Sequence, residues 1–286
     1  MALVKAAPEE EGGTMFIALG RAGRAWLVAL AGLAAILGLA RLTLPWERSP
    51  IPGPQLPAGR PAVAPSAGTA GKAVVRVPAE AAGPRVALTF DVLEGDTVVV
   101  QVLDLLAGRR VPATFFVTAP WARAHPDLVR QMVAAGHEVA LREAPGPQAG
   151  ALLDGEAAPG QGVAPQRWQE DAAALARLTG RAVRFVRPAW TGLWDPAGGG
   201  PVPEGLEVAG GLQPVLWSLD LQDWMNPGVD YVVHRARMAR PGDILLLQAS
   251  DFARQTPRAL LRVLDALAEA GLKPAPLGAL LAPEAP

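Results

Sequence analysis

"RVALTFDVLEGDTVVVQVLDLLAGRRVPATFFVT" runs from Arg85 to Thr118, and its texture changes twice. Val86 to Phe90 and Ala113 to Thr118 are apolar runs of strand length. Between them, Asp96 to Gly108 repeats apolar residues at helical spacing and ends on a glycine that suits a C-cap. Strand, helix, strand in that order is the unit of a parallel sheet or barrel with crossover helices. The alternation continues downstream. Strands are expected at His137 to Leu141, Ala182 to Arg187, Pro214 to Asp220 and Asp243 to Gln248. Helices are expected at Pro126 to Gly136, Arg167 to Gly180, Val229 to Arg240 and Pro257 to Gly271. Ala144 to Pro165 and Pro196 to Gly205 are rich in Gly, Pro and Ala, lack periodicity and read as loops.

Half of the 286 residues are hydrophobic, enough to build a sizeable core. A formal charge of -1 provides no broad basic field, which argues against a nucleic-acid partner. With no cysteine, the chain has no disulfide, thiolate metal site or cysteine nucleophile.

The N-terminus reads differently. "AWLVALAGLAAILGLA" between Arg24 and Arg41 is uncharged for 16 residues, and with snorkelling arginines and Trp26 and Trp46 at its flanks it suits a single membrane span. The expected layout is a cytoplasmic tail over 1–24, a transmembrane anchor over 25–44, a Pro/Ala/Gly-rich linker over 45–84 and an extracytoplasmic domain over 85–283. A signal peptide cleaved near Gly38-Leu39-Ala40 is the alternative. Nine prolines and few large apolar residues make the linker an extended tether.

In a parallel α/β fold, chemistry collects at the carboxyl ends of the strands. Those ends carry Asp91, Thr118, Arg142, Arg187, Asp220 with Asp223, and Gln248. Such a ring is either a functional rim or simply polar residues where strands reach water.

At these residues the chain resembles the polysaccharide deacetylases of the NodB-homology group, closest to their sporulation-associated bacterial members. "VALTFDVLEGD" (Val86 to Asp96) is similar to the first family motif, the segment from Val111 to Val139 leads into the second, and "VRP" (Val186 to Pro188) is similar to the third. "WSLDLQDWMNPG" (Trp217 to Gly228) matches the fourth, and "PGDILLLQASDF" (Pro241 to Phe252) resembles the fifth. The order and spacing of the motifs carry the likeness from about Arg85 to Leu281.

The resemblance implies a distorted, incomplete (β/α) barrel that deacetylates amino sugars of cell-wall glycans such as peptidoglycan with a divalent metal, usually zinc. It places Asp91 at the catalytic base, Arg187 at the arginine that holds the base, and Asp223 and Trp224 at supporting positions. Where the family has its metal-binding aspartate stands Val92. Where it has its two metal histidines stand Arg142 and Gly146, and where it has its leaving-group acid stands Gln248.

Catalytic zinc takes three protein ligands and lowers the pKa of its bound water to about 7. Valine and glycine side chains cannot ligate, and a guanidinium repels a cation. A bound metal is therefore not expected, and the reading is a deacetylase-like protein that binds glycan without hydrolysing it. The alternative is an active deacetylase with an atypical or metal-independent site. His125, His137 and His234 read as surface or core residues rather than replacement ligands.

Arg142 has two readings: its guanidinium enters the space of the metal and pairs with Asp91, able to recognise an acetamido or carboxylate group, or it points to solvent. Trp190, Trp194 and Trp224 lie just beyond strand ends, where indole faces can stack on sugars, and Gln248 joins them as a substrate-binding candidate.

Overall fold

The structure is a computed structural model and describes residues 73–144, 165–189 and 211–282. Candidate residues Gly146, Trp190 and Trp194 and the apolar stretch 25–44 lie outside them. Among the described residues no helix is long and apolar enough to cross a membrane.

A short helix α1 (Ala79–Ala82) precedes β1 (Arg85–Val92), α2 (Thr97–Arg109) and β2 (Thr114–Thr118). Next come α3 (Ala119–Ala124), α4 (Pro126–Ala134), β3 (Glu138–Arg142), α5 (Pro165–Thr179) and β4 (Phe185–Arg187). The chain continues through β5 (Gln213–Pro214), β6 (Leu219–Asp220), a 3-10 turn (Asp223–Met225), α6 (Val229–Ala236) and β7 (Ile244–Gln248). It closes with α7 (Thr256–Glu269), β8 (Lys273–Ala275) and α8 (Leu277–Leu281). All paired strands are parallel, in the order β5-β4-β3-β2-β1-β7-β6, with β8 added to the start of β1.

The single strand expected over Pro214 to Asp220 is two short ones at opposite edges of the sheet. β5 pairs with β4 and β6 pairs with β7, although the two are separated only by Val215 to Ser218. One stretch of chain therefore meets both edges, so the sheet is curled into an incomplete barrel rather than laid out flat. The backbone bonds Val215 N–H to Val186 O and Ser218 N–H to Ile244 O carry the bridging segment across the gap.

Strand alternation separates two environments. Val86, Leu88, Phe90 and Val92 of β1 face the helices and join the large core with Val99, Leu106, Phe115, Leu260 and Val263. Ala87 points to the other face, among Phe116, Ala140, Phe185, Val215 and Ile244. Thr89 and Asp91 continue that inward face toward the carboxyl ends of the strands.

The fold also begins upstream of Arg85. Val75, Val77 and Ala82, within the stretch expected to be linker, are buried, and Arg76 pairs with the buried Asp243. The small side chains there gave little apolar periodicity to read. At the other end, α8 is anchored to the base of the barrel, where Leu277 N–H donates to Thr114 Oγ1 and Gly278 N–H to Glu138 Oε2.

Candidate functional site

Asp91 lies near the carboxyl end of β1 with its side chain only 3% exposed and is held between two guanidiniums. Arg187 Nη1 donates to its Oδ1 at 2.7 Å, and Arg142 Nε donates to its Oδ2 at 2.9 Å. The register explains the meeting: Arg142 and Arg187 are paired residues at the ends of β3 and β4, and barrel curvature brings both toward β1.

Arg187 is fully buried. Its remaining donors reach Thr89 Oγ1 and the carbonyls of Val215 and Leu216, and its guanidinium lies 3.9 Å from the centre of the Phe116 ring. Burial pulls its pKa down, opposed by the charge and hydrogen bond of Asp91, while the nearby charge of Arg142 adds to the lowering. An arginine remains protonated under such conditions, so the carboxylate between the two cations offsets their repulsion.

Arg142 does not point to solvent; its side chain is 11% exposed. Besides Asp91, it donates through Nη1 to the carbonyls of Glu143, Arg187 and Pro188, and through Nη2 to that of Ala189. The neighbouring Glu143 carboxylate accepts from Ala189 N–H at 3.0 Å. Together these bonds fasten the end of β3 to the segment leaving β4.

Across the mouth, Asp223 is buried in the turn after β6. Its Oδ2 accepts from Gln248 N–H at 2.9 Å and from Thr256 Oγ1. Desolvation raises its pKa to about 7, with the charge of Asp220 adding to the rise and the bonds from Gln248, Thr256 and Trp224 opposing it. Gln248 follows the register pair Asp91–Gln248 at the end of β7, is 8% exposed, and also has a buried oxygen, Oε1, without a partner. Trp224 is 47% exposed, and its Nε1 donates to Asp220 Oδ2 at 3.3 Å. Met225 and Phe252 are exposed beside the same loops, which Asn226 stitches together through Phe252 O and Gln255 N–H.

The family model for polysaccharide deacetylases matches residues 79–144. A chitooligosaccharide deacetylase of Sinorhizobium fredii is 35% identical over 202 residues, covering 66% of this chain and 87% of the relative. The chain belongs to the polysaccharide deacetylase family. A peptidoglycan-N-acetylglucosamine deacetylase of Bacillus cereus is 32% identical over 196 residues, 66% of this chain and 84% of that protein. Among solved structures, a CE4 family pseudoenzyme from Bacillus anthracis superposes with a TM-score of 0.59 at 21% identity, over 75% of this chain and 70% of the other. That last likeness concerns the fold.

Polysaccharide deacetylases of this fold generally use a divalent metal, and the residues present here do not fit one. Val92 faces the helix-side core at 0% exposure. The position of the first metal histidine holds a guanidinium already bonded to Asp91, and a cation added there would meet like charge at close range. No group of three or more His, Cys, Asp or Glu is gathered among the described residues.

The histidines are employed elsewhere. His137 Nδ1 accepts from Ala113 N–H, its ring packs edge-on against Phe115, and burial lowers its pKa. His125 stacks on Trp121 between α3 and α4, and His234 is exposed on α6.

Sequence reasoning passed over Thr89 and Thr256, which hold Arg187 and Asp223. Thr89 was legible, since it lies two residues before Asp91 on a strand and so shares its face. Thr256 belongs to a distant helix and leaves no local signal.

Proposed function

We propose that this is a deacetylase-like protein that binds cell-wall glycan at the barrel mouth without cleaving it, held on the outer side of the membrane by residues 25–44 and serving wall or spore maturation. The observation that carries the reading is the Arg142–Asp91 bond at 2.9 Å. A base at position 91 needs a water activated beside it, yet the groups touching this carboxylate are two guanidiniums, one on each oxygen. Gln248 has no proton to give a leaving amine at neutral pH. Exposed Trp224 and Phe252 provide apolar faces of the kind that stack on sugar rings.

The relatives named above act, by their names, on chitooligosaccharide or peptidoglycan, which supports an amino-sugar polymer as the ligand class. The test combines metal analysis, a deacetylation assay and co-sedimentation with peptidoglycan on the purified full chain. Metal-free protein that sediments with the wall and releases no acetate is expected. Stoichiometric divalent metal, lost to chelator together with acetate release, overturns the reading.

A further inference from the structure

Residues 73–77 do more than lead into the barrel. Curling the sheet leaves a seam between β5 at one edge and β6 with β7 at the other, crossed by the bridging segment Val215 to Ser218. Residues 73–77 follow that crossing and hold both sides. On the β5 side, Val74 N–H donates to Pro214 O at 2.9 Å and Val74 O accepts from Leu216 N–H at 2.8 Å. On the β7 side, Val77 N–H donates to Gly242 O at 2.9 Å, and Arg76 pairs with Asp243, whose carboxylate also accepts from Ser218 Oγ and Arg240 N–H. Gly242 suits this contact, with φ at +82° and so little room that a Cβ would fall 1.9 Å from Val77 O. Leu216 is where the strap meets the mouth. Its buried side chain clusters with Ala73 and Val75, and its carbonyl accepts from Arg187 Nη2 at 3.2 Å. Val215, bridged to Val74, offers its carbonyl to Arg187 Nε at 3.4 Å, and Trp217, packed against the same small cluster, has its ring centre 5.7 Å from that guanidinium.

We propose that residues 73–77 are a positioning strap for the glycan-binding mouth: they fix Leu216, Leu216 helps to fix Arg187, and Arg187 holds Asp91, so that strap docking and ligand binding strengthen each other. Releasing the strap takes the acceptor from Leu216 N–H and uncovers the Leu216 side chain, and a buried donor left unmet is costly enough to shift the segment. Arg187 then loses the alignment of two of its carbonyl acceptors, and the clasp at the ends of β1, β3 and β4 loosens with it. A coupling of this kind is reciprocal, so ligand at the mouth must also hold the strap down. Val74 and Arg76 are thereby positioning residues that act on the ligand through Arg187. This inference rests on the glycan-binding reading above.

The test is amide hydrogen exchange of the full chain, followed by mass spectrometry, without and with chitohexaose at ten times its Kd. Peptides covering residues 73–77 should exchange at least about threefold more slowly with the hexamer, up to the roughly elevenfold reached when strap release abolishes binding. Helix α8 is the control, because Leu277 and Gly278 are likewise held by single tertiary bonds but at the base of the barrel, and its exchange should not change. Gly242→Ala pushes Val77 away without touching the mouth and should weaken hexamer binding about fivefold in calorimetric titration. Arg76→Met should weaken it similarly, and Arg76→Lys, which returns a cation to Asp243, should recover most of the loss. Should Arg76→Met fold poorly, Gly242→Ala and exchange in the unaltered chain still decide. Hexamer that binds but leaves strap exchange unchanged, or slows the strap and α8 alike, overturns this inference and leaves glycan binding standing. Unaltered affinity in folded Gly242→Ala and Arg76→Met overturns it as well. Failure of the unaltered chain to bind the hexamer overturns both readings.

Discussion

Replacing Arg142 and Arg187 one at a time by methionine tests the clasp around Asp91, because their surroundings predict different costs. Arg187 is fully buried, and Arg187→Met deprives Asp91 Oδ1, Thr89 Oγ1 and two carbonyls of their donor and removes the cation over Phe116. Removing one member of a buried ion pair typically costs about 3–5 kcal/mol. Arg142→Met leaves Asp91 still paired with Arg187 and opens the carbonyls of Glu143 and residues 187–189 near the rim, where water can replace part of the loss. Its cost is that of one charge-assisted hydrogen bond, about 1.5–3 kcal/mol. Urea denaturation of the full chain, followed by near-UV circular dichroism, measures both, and unchanged m-values confirm that the denatured state is comparable. Asp91→Asn supplies the third corner of a double-mutant cycle. With the carboxylate gone the two guanidiniums repel unscreened, so Arg142→Met should cost at least about 1 kcal/mol less in that background. A loss below about 0.5 kcal/mol for Arg142→Met in the otherwise unchanged chain would place its guanidinium among ordinary surface charges and refute the clasp.

Asp223 predicts a pH dependence with a definite sign. Its pKa is raised from 3.8 to about 7 on folding, so the folded chain binds the extra proton between those values and stability falls as pH rises through that window. The full effect is on the order of 4 kcal/mol, and Asp223→Asn should flatten this part of the pH–stability curve; a curve unchanged by the substitution contradicts the assignment. Restoring histidine at 142, 146 and 248 together should yield divalent-metal uptake measurable by elemental analysis after dialysis, whereas Arg142→His alone should yield none. Metal retained by that single variant would show the remaining donors to be sufficient. Trp224→Ala, at a side chain 47% exposed, should change stability by less than about 1 kcal/mol while weakening glycan binding roughly tenfold, read by titration with chitohexaose. Undiminished affinity removes Trp224 from the binding surface.

Much of the scaffold was legible because long-range contacts impose local periodicity. β1, β2, β3 and β7 are continuous apolar runs since both faces of a parallel sheet are covered, and α2, α4, α5, α6 and α7 carry their buried stripes at helical spacing. Legibility failed where structure is held by single tertiary bonds. β8 contains only Lys273–Ala275 and exists through its pairing with Arg85 to Ala87, and residues 73–77 dock through two isolated bridges and the Arg76–Asp243 pair. The break in Pro214 to Asp220 was also invisible, because the run is apolar on either side of the point where the chain leaves one sheet edge for the other. At the site, the ring of strand-end residues was readable and the Arg142–Asp91 pair was one of the two readings of Arg142, but the other four of its five bonded partners were not. Four of those partners are backbone carbonyls, which carry no residue identity.

Those carbonyls show how a guanidinium can close the mouth of this fold. An inward carboxylate at the end of β1, desolvated and beside Arg187, leaves one oxygen facing the rest of the mouth, and that oxygen needs a positive or donating neighbour. A metal supplies one only while its ligands remain. Arginine at 142 supplies it permanently, with four further N–H groups that close the ends of β3 and β4. Once the backbone near residues 187–189 has settled on that guanidinium, a lone histidine returned to position 142 lacks the reach and the donors to satisfy the same carbonyls. The clasp therefore opposes metal binding through a single substitution at position 142, and its stabilisation of the mouth is a separate property from whatever the mouth binds.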